Sequence, residues 1–281
     1  MRLSGKQLIS AERLADLMED ENLVVVHAGS GNGRELYDNS HIDGAIYLDL
    51  DQDLSDIKED AAYGGRHPLP SPRFFGEMIG NVGIAPDSHL VVYDDKAGAN
   101  AASRFWWMMK SIGHEKVQLL NGGFQTAEKA GVPINSEVVT LSLKEPYPVS
   151  EWKLPMVDID QVEKSAQDQN AVVIDVRAAF RYNGESEPID LVAGHIPGAI
   201  NFPLSENLNE NGLFLSPEKL RAKYAETVKG KEVTIHCGSG VTACHTILAL
   251  ASAGFEIPSL YVGSWSEWSR NEKQIAKAPS N

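Results

Sequence analysis

The sequence predicts an α/β protein made of two copies of one unit, each a parallel sheet with helices on both faces. Three observations carry this. Apolar runs of strand length alternate with stretches of helical pattern. The same succession of segments occurs twice along the chain. The length of 281 residues and a hydrophobic content of 42% suit two domains of ordinary size.

In the first half, Ala11–Met18 places Leu14, Leu17 and Met18 on one face and reads as a surface helix. Leu23–His27 reads as a strand. Gly29-Ser30-Gly31-Asn32-Gly33 follows it and invites comparison with a dinucleotide fingerprint. Arg34 stands at the third glycine position and no helix is evident there, so the stretch reads as a flexible loop. His89–Asp94 is the next strand, Ala101–Ile112 a helix, and Val117–Gly123 a short apolar segment ending in glycine. The second half repeats the order with Asp160–Ala166, Ala171–Asp175, Glu232–Cys237, Ala243–Ala253 and Ser259–Gly263. Between the halves, Pro146, Pro148 and Pro155 interrupt any regular element. The expected division is a domain over 1–140, a surface linker over 141–155 pinned by Trp152, and a domain over 156–281.

A net charge of −14 argues against nucleic acid and anionic membrane surfaces as partners. Two cysteines make no disulfide framework, so a reducing, cytoplasmic setting is expected. The N-terminus lacks the apolar core of a signal peptide, and no apolar run reaches membrane-spanning length.

The chemistry concentrates at Val233-Thr234-Ile235-His236-Cys237-Gly238-Ser239-Gly240-Val241-Thr242-Ala243. A strand, a tight glycine loop and a helix place Cys237 at the carboxyl end of a sheet, where such folds bind ligands. Backbone N–H groups of the loop and the start of the helix form an anion cradle that favours the thiolate. Cysteine enzymes that transfer phosphate carry an arginine six residues after the nucleophile. That position is Ala243, so phosphate-ester hydrolysis is poorly supported. Sulfur transfer fits, because the cradle can house a persulfide. In the first half the position of Cys237 is held by Asp94, which cannot carry sulfur.

The loop Cys-Gly-Ser-Gly-Val-Thr resembles that of the rhodanese superfamily. So do Gly194–Ala199, Arg104-Phe105-Trp106-Trp107 and Ser264-Trp265-Ser266-Glu267-Trp268, and the resemblance runs from about Leu23 to Trp268. It implies two tandem rhodanese-like domains, with the second supplying the nucleophile. In detail the loop is most similar to 3-mercaptopyruvate sulfurtransferases; rhodaneses that favour thiosulfate have cations where Gly238 and Ser239 stand. The resemblance further implies that Asp51 and His67 meet Ser239 across the domain interface as a proton relay. Arg181 would bind the anionic end of the substrate. The second substrate arginine of the mercaptopyruvate type falls on Ile189, and Arg66 is the candidate replacement from the other domain. The loop amides of Gly238, Gly240, Val241 and Thr242 would stabilise the bound sulfur. The implied partners are a small anionic sulfur donor and a thiol, cyanide or thioredoxin-like acceptor, with no metal or organic cofactor required. A persulfide carrier that turns over poorly alone is the alternative.

Other motifs have plainer readings. His195, with its counterpart His41 in the half that lacks a nucleophile, is expected to brace a turn. Asp49, Asp51 and Asp53 alternate like a calcium loop, but Leu54 replaces the turn glycine and Asp60 the final glutamate. A solvated acidic loop is expected for Asp53, Asp56, Glu59 and Asp60. Cys244 reads as a buried thiol, Arg177 as structural, and Trp106, Trp107, Trp265 and Trp268 as core or interface residues.

Overall fold

A computed structural model describes residues 1–278. The two halves contain five-stranded parallel sheets of the same topology. The first has the spatial order Leu8–Ile9, Val117–Leu120, His89–Tyr93, Leu23–Gly29 and Ile46–Asp49. The second runs Met156–Val157, Ser259–Tyr261, Glu232–His236, Ala171–Asp175 and Ile200–Asn201. Each central strand is therefore the third in its sheet, and the chain leaves its carboxyl end at Asp94 or Cys237.

Helices Ala101–Ser111 and Ala243–Ser252 follow these central strands and pack against each other. Phe105, Trp106, Trp107, Ile247 and Leu248 are fully buried in one apolar core that crosses between the halves. Because that core is shared, removing a large side chain from it affects both domains; such truncations typically cost about 3–5 kcal/mol.

The chain between the halves has no helix or strand from Leu141 to Pro155 and lies on the first domain. Tyr147 N–H donates to the Gly76 carbonyl (2.9 Å), and Trp152 Nε1–H to the Pro70 carbonyl (3.3 Å). The indole of Trp152 packs on Phe75 and Trp107.

The structure corrects two expectations. A helix, Gly33–Asn39, does open after the glycine stretch. Apart from Gly33, its only buried residue is Tyr37, so no apolar periodicity announces it. Asp53 is not simply solvated: its Oδ2 accepts the Asp49 N–H at 2.7 Å, and partial burial pushes its pKa up. The turn around Asp49 and Asp53 is what aims Asp51.

The paired histidines brace turns. His41 Nδ1 lies 2.8 Å from the Tyr37 carbonyl, and His195 Nδ1 lies 2.8 Å from that of Tyr182. Each imidazole stacks on the same tyrosine, with ring centroids 4.0 and 3.8 Å apart. Each tyrosine hydroxyl in turn donates to a carbonyl in the following turn, of Ala45 or Ala199.

Five other histidines are held neutral by burial: His27 and His67 near 4, His245 near 3, and His114 and His236 pushed below the ordinary 6.5. The unfolded chain therefore binds more protons than the native one below about pH 6.5. Their contribution to stability is complete above that pH and is lost as pH falls toward 4. Urea midpoints are expected to drop between pH 7 and pH 5, as the unfolding free energy falls by up to about 1 kcal/mol per pH unit for each histidine. Titrations at pH 7, 6 and 5 check this; a constant midpoint would contradict it.

Candidate active site

Cys237 follows its strand directly and is 1% exposed, at the floor of a cavity of about 280 Å³ between the domains. Its carbonyl accepts the Trp265 N–H at 3.0 Å, and that of Gly238 accepts the Ser266 N–H at 2.8 Å. The loop is thus held from outside through its oxygens. The N–H groups of Gly238 to Thr242 donate to nothing in the protein among the described residues. Gly240 has φ +73°, and a methyl group there would collide with the Val262 carbonyl oxygen. No other residue type turns the loop this tightly.

The first half shows what such a loop holds. The carboxylate of Asp94 accepts from the N–H groups of Lys96 (2.9 Å), Gly98 (2.7 Å), Asn100 (3.1 Å) and Ala102 (3.4 Å). Burial pushes the pKa of this carboxyl up, and the four N–H groups pull it back down. Here the cradle is filled by the side chain that occupies the position of Cys237. In the second half the same position carries sulfur, and the amides remain free.

The structure brings together the three residues expected to form a relay. His67 Nδ1 is 2.8 Å from Ser239 Oγ, and His67 Nε2 is 3.1 Å from Asp51 Oδ1. Asp51 can only accept when ionised, so the tautomer with hydrogen on Nε2 satisfies both contacts. Nδ1 then accepts the Ser239 hydroxyl hydrogen. Burial is the main cause of the low His67 pKa, with Arg66 next, while Asp51 opposes. The imidazole is therefore neutral at pH 7, with its Nδ1 lone pair directed at the Ser239 hydroxyl.

Two guanidinium groups cover the loop's first residue. A methyl group at Gly238 would stand 3.1 Å from Arg66 Nη2 and 3.4 Å from Arg181 Nη2. Asp190 binds both, accepting from Arg66 Nε at 2.9 Å and from Arg181 Nη2 at 3.0 Å. Glu187 accepts from Arg181 Nε at 2.9 Å. Ile189 lines the cavity mouth and is 56% exposed. Arg177 is structural: it is buried, paired with Asp175 and Glu187, and lies over the Trp265 ring. Cys244 is fully buried, and burial pushes its thiol up to about 12, which leaves it unreactive at neutral pH.

Besides the Asp190 bridge, three contributions were not evident from sequence. Ser30 and Asn100 form the first-domain wall of the cavity, joined by an Asn100 Nδ2–H bond to Ser30 Oγ (2.6 Å). Arg104 reaches both His67 and the loop. The Gly64-Gly65 turn seats the Arg66-His67 pair on the second domain: the Gly64 N–H donates to Glu267 Oε1 (2.9 Å) and the Arg66 N–H to Ser266 Oγ (3.0 Å). Gly65 has φ +81°, and a side chain there would strike the Gly263 carbonyl. Gly65→Ala is expected to push His67 and Arg66 off the loop together and to lower kcat/KM by at least about tenfold, as small displacements of positioned groups do. Steady-state kinetics with unchanged circular dichroism would show it; full activity would not fit this packing.

Comparison with known proteins agrees with the geometry. The rhodanese-like domain model matches twice, at residues 10–130 and 158–271. A probable 3-mercaptopyruvate sulfurtransferase of Pseudomonas aeruginosa is 37% identical over 276 residues, spanning 95% of this chain and 96% of that protein. The thiosulfate sulfurtransferase of Rattus norvegicus is 36% identical, over 86% of this chain and 82% of its own. The structure of a 3-mercaptopyruvate sulfurtransferase from Leishmania major superposes with a TM-score of 0.78 at 30% identity, covering 94% of this chain and 74% of that one. Two matching domains, one repeated sheet topology and similarity over nearly the full length place this chain in the tandem rhodanese-domain sulfurtransferases, the family of the 3-mercaptopyruvate and thiosulfate enzymes.

Proposed function

We propose that this sulfurtransferase takes sulfur from 3-mercaptopyruvate, carries it as a persulfide on Cys237 and passes it to a thiol or cyanide. The observation that carries the reading is the pair Arg66 and Arg181, both tied to Asp190 above Gly238, beside the Ser239–His67–Asp51 chain. The donor's carboxylate docks on the two guanidinium groups, which can each offer a charge-assisted bond. Cys237 thiolate attacks the donor sulfur. An S–S bond forms, the C–S bond breaks, and its electron pair passes into the enolate of pyruvate. The thiol proton of the donor moves through Ser239 and His67 to the enolate carbon. Pyruvate leaves, and the loop amides of Gly238 to Thr242 hold the outer sulfur. An acceptor thiolate, or cyanide, then attacks that sulfur and returns Cys237 as thiolate, which is a ping-pong cycle.

Arg66 supports the mercaptopyruvate reading despite Ile189, because it supplies a second guanidinium from the first domain. The test is to measure 3-mercaptopyruvate and thiosulfate with the same acceptor, alongside intact-protein mass after each donor. A kcat/KM at least tenfold higher for mercaptopyruvate, with one sulfur atom added, is expected. A tenfold preference for thiosulfate would overturn the donor assignment. A stable sulfur adduct without turnover would favour the carrier alternative.

A further inference from the structure

Arg104 lies on the helix Ala101–Ser111 of the first domain and is fully buried. No Asp or Glu lies within ion-pair distance of it among the described residues. Its Nη1 donates to the Gly240 carbonyl (3.1 Å), its Nη2 to the His67 carbonyl (3.0 Å), and its Nε has no protein partner. A buried cation answered only by carbonyl dipoles and the neutral Cys244 thiol is expensive, and such groups persist where a counter-charge stands nearby.

The charges around the cavity narrow the choice. Arg66 and Arg181 are matched by Asp190 and Glu187, and Asp51 is bonded to His67. His236, behind the loop, is kept neutral by burial, with Asp175 3.7 Å away opposing the shift. The ionisable neighbours of Arg104 are Cys244, Cys237 and His67, and His67 is neutral. Cys244 stays protonated, for the reason given above. The remaining group is the sulfur of Cys237.

Peptide geometry adds a second effect. In a trans peptide the C=O and N–H point opposite ways. With the Gly240 oxygen fixed on Arg104, the Val241 N–H faces away from it, as one of the loop's free donors.

We propose that Arg104 is a positioning residue that supplies the counter-charge for the anionic sulfur of Cys237 and fixes the peptide that presents the Val241 N–H to it. The proposal rests on Cys237 being the sulfur carrier, but its test uses no sulfur donor, so the two fail separately. The rate of Cys237 alkylation by iodoacetamide is followed against pH by intact mass. In Arg104→Met the midpoint of that profile should move up by about one pH unit or more, since a nearby cation favours the thiolate, while the high-pH plateau stays. Arg104→Lys, which keeps the charge, should restore most of the shift. An unmoved midpoint in a folded Arg104→Met protein overturns the proposal. Should that variant not fold, Arg104→Gln, which keeps a donor for the Gly240 carbonyl but carries no charge, decides by the same profile: its midpoint must move up, and an unmoved midpoint overturns the proposal equally.

Discussion

Cys237→Ser is expected to lose sulfur transfer by at least about 10⁴-fold, the scale seen when a covalent nucleophile is removed. The hydroxyl differs from the thiol in two ways that matter here. It stays protonated at neutral pH, so the free amides of Gly238 to Thr242 have no anion to stabilise. An oxygen also cannot hold the transferred atom as a persulfide. Intact mass after incubation with 3-mercaptopyruvate should show one added sulfur atom in the parent and none in the variant. The fold should persist, because the loop is held through the carbonyls of Cys237 and Gly238 and not through the sulfur. A sulfur adduct on the serine variant would move the chemistry elsewhere, with Cys244 the remaining thiol.

The second large effect follows from the proposed docking of the donor's carboxylate on Arg66 and Arg181. Arg66→Met should lower kcat/KM for 3-mercaptopyruvate by about 10- to 150-fold, corresponding to a charge-assisted bond worth roughly 1.5–3 kcal/mol. Most of the loss should appear in KM, because the carboxylate is bound alike before and during reaction. Asp190 remains paired with Arg181, and Arg270 lies 3.6 Å from it, so the variant leaves no bare buried charge. Adding Ile189→Arg to Arg66→Met places a guanidinium on the other lip of the cavity and should recover much of the lost kcat/KM. If Arg66→Met matches the parent with mercaptopyruvate, the clamp has a single arm and Arg66 serves only to join the domains. If the double variant recovers nothing, position 189 cannot reach the carboxylate.

The parts of this molecule that sequence exposes are those with local signals. Strand, cysteine, glycine loop and helix occupy one continuous stretch, so the proposed nucleophile and its amides are legible from residue types alone. The repeat alone makes Asp94 the counterpart of Cys237. The positions of Asp51 and His67 followed from family resemblance, since no spacing rule links a loop at 51 with another at 67. Arg104 and Asp190 were hidden for a physical reason. Their partners are 136 and 124 residues away along the chain, at Gly240 and Arg66, and only the docking of two domains brings them together. Helix Gly33–Asn39 escaped because Tyr37 is its single buried side chain.

The Gly65 turn, which rests against the Gly263 carbonyl, has one more consequence. The thiol rides on one half of the molecule, while the imidazole, one guanidinium and the buried cation ride on the other. Turnover therefore gauges how tightly the two halves are seated. Whatever tightens this seam tunes the enzyme without touching sulfur.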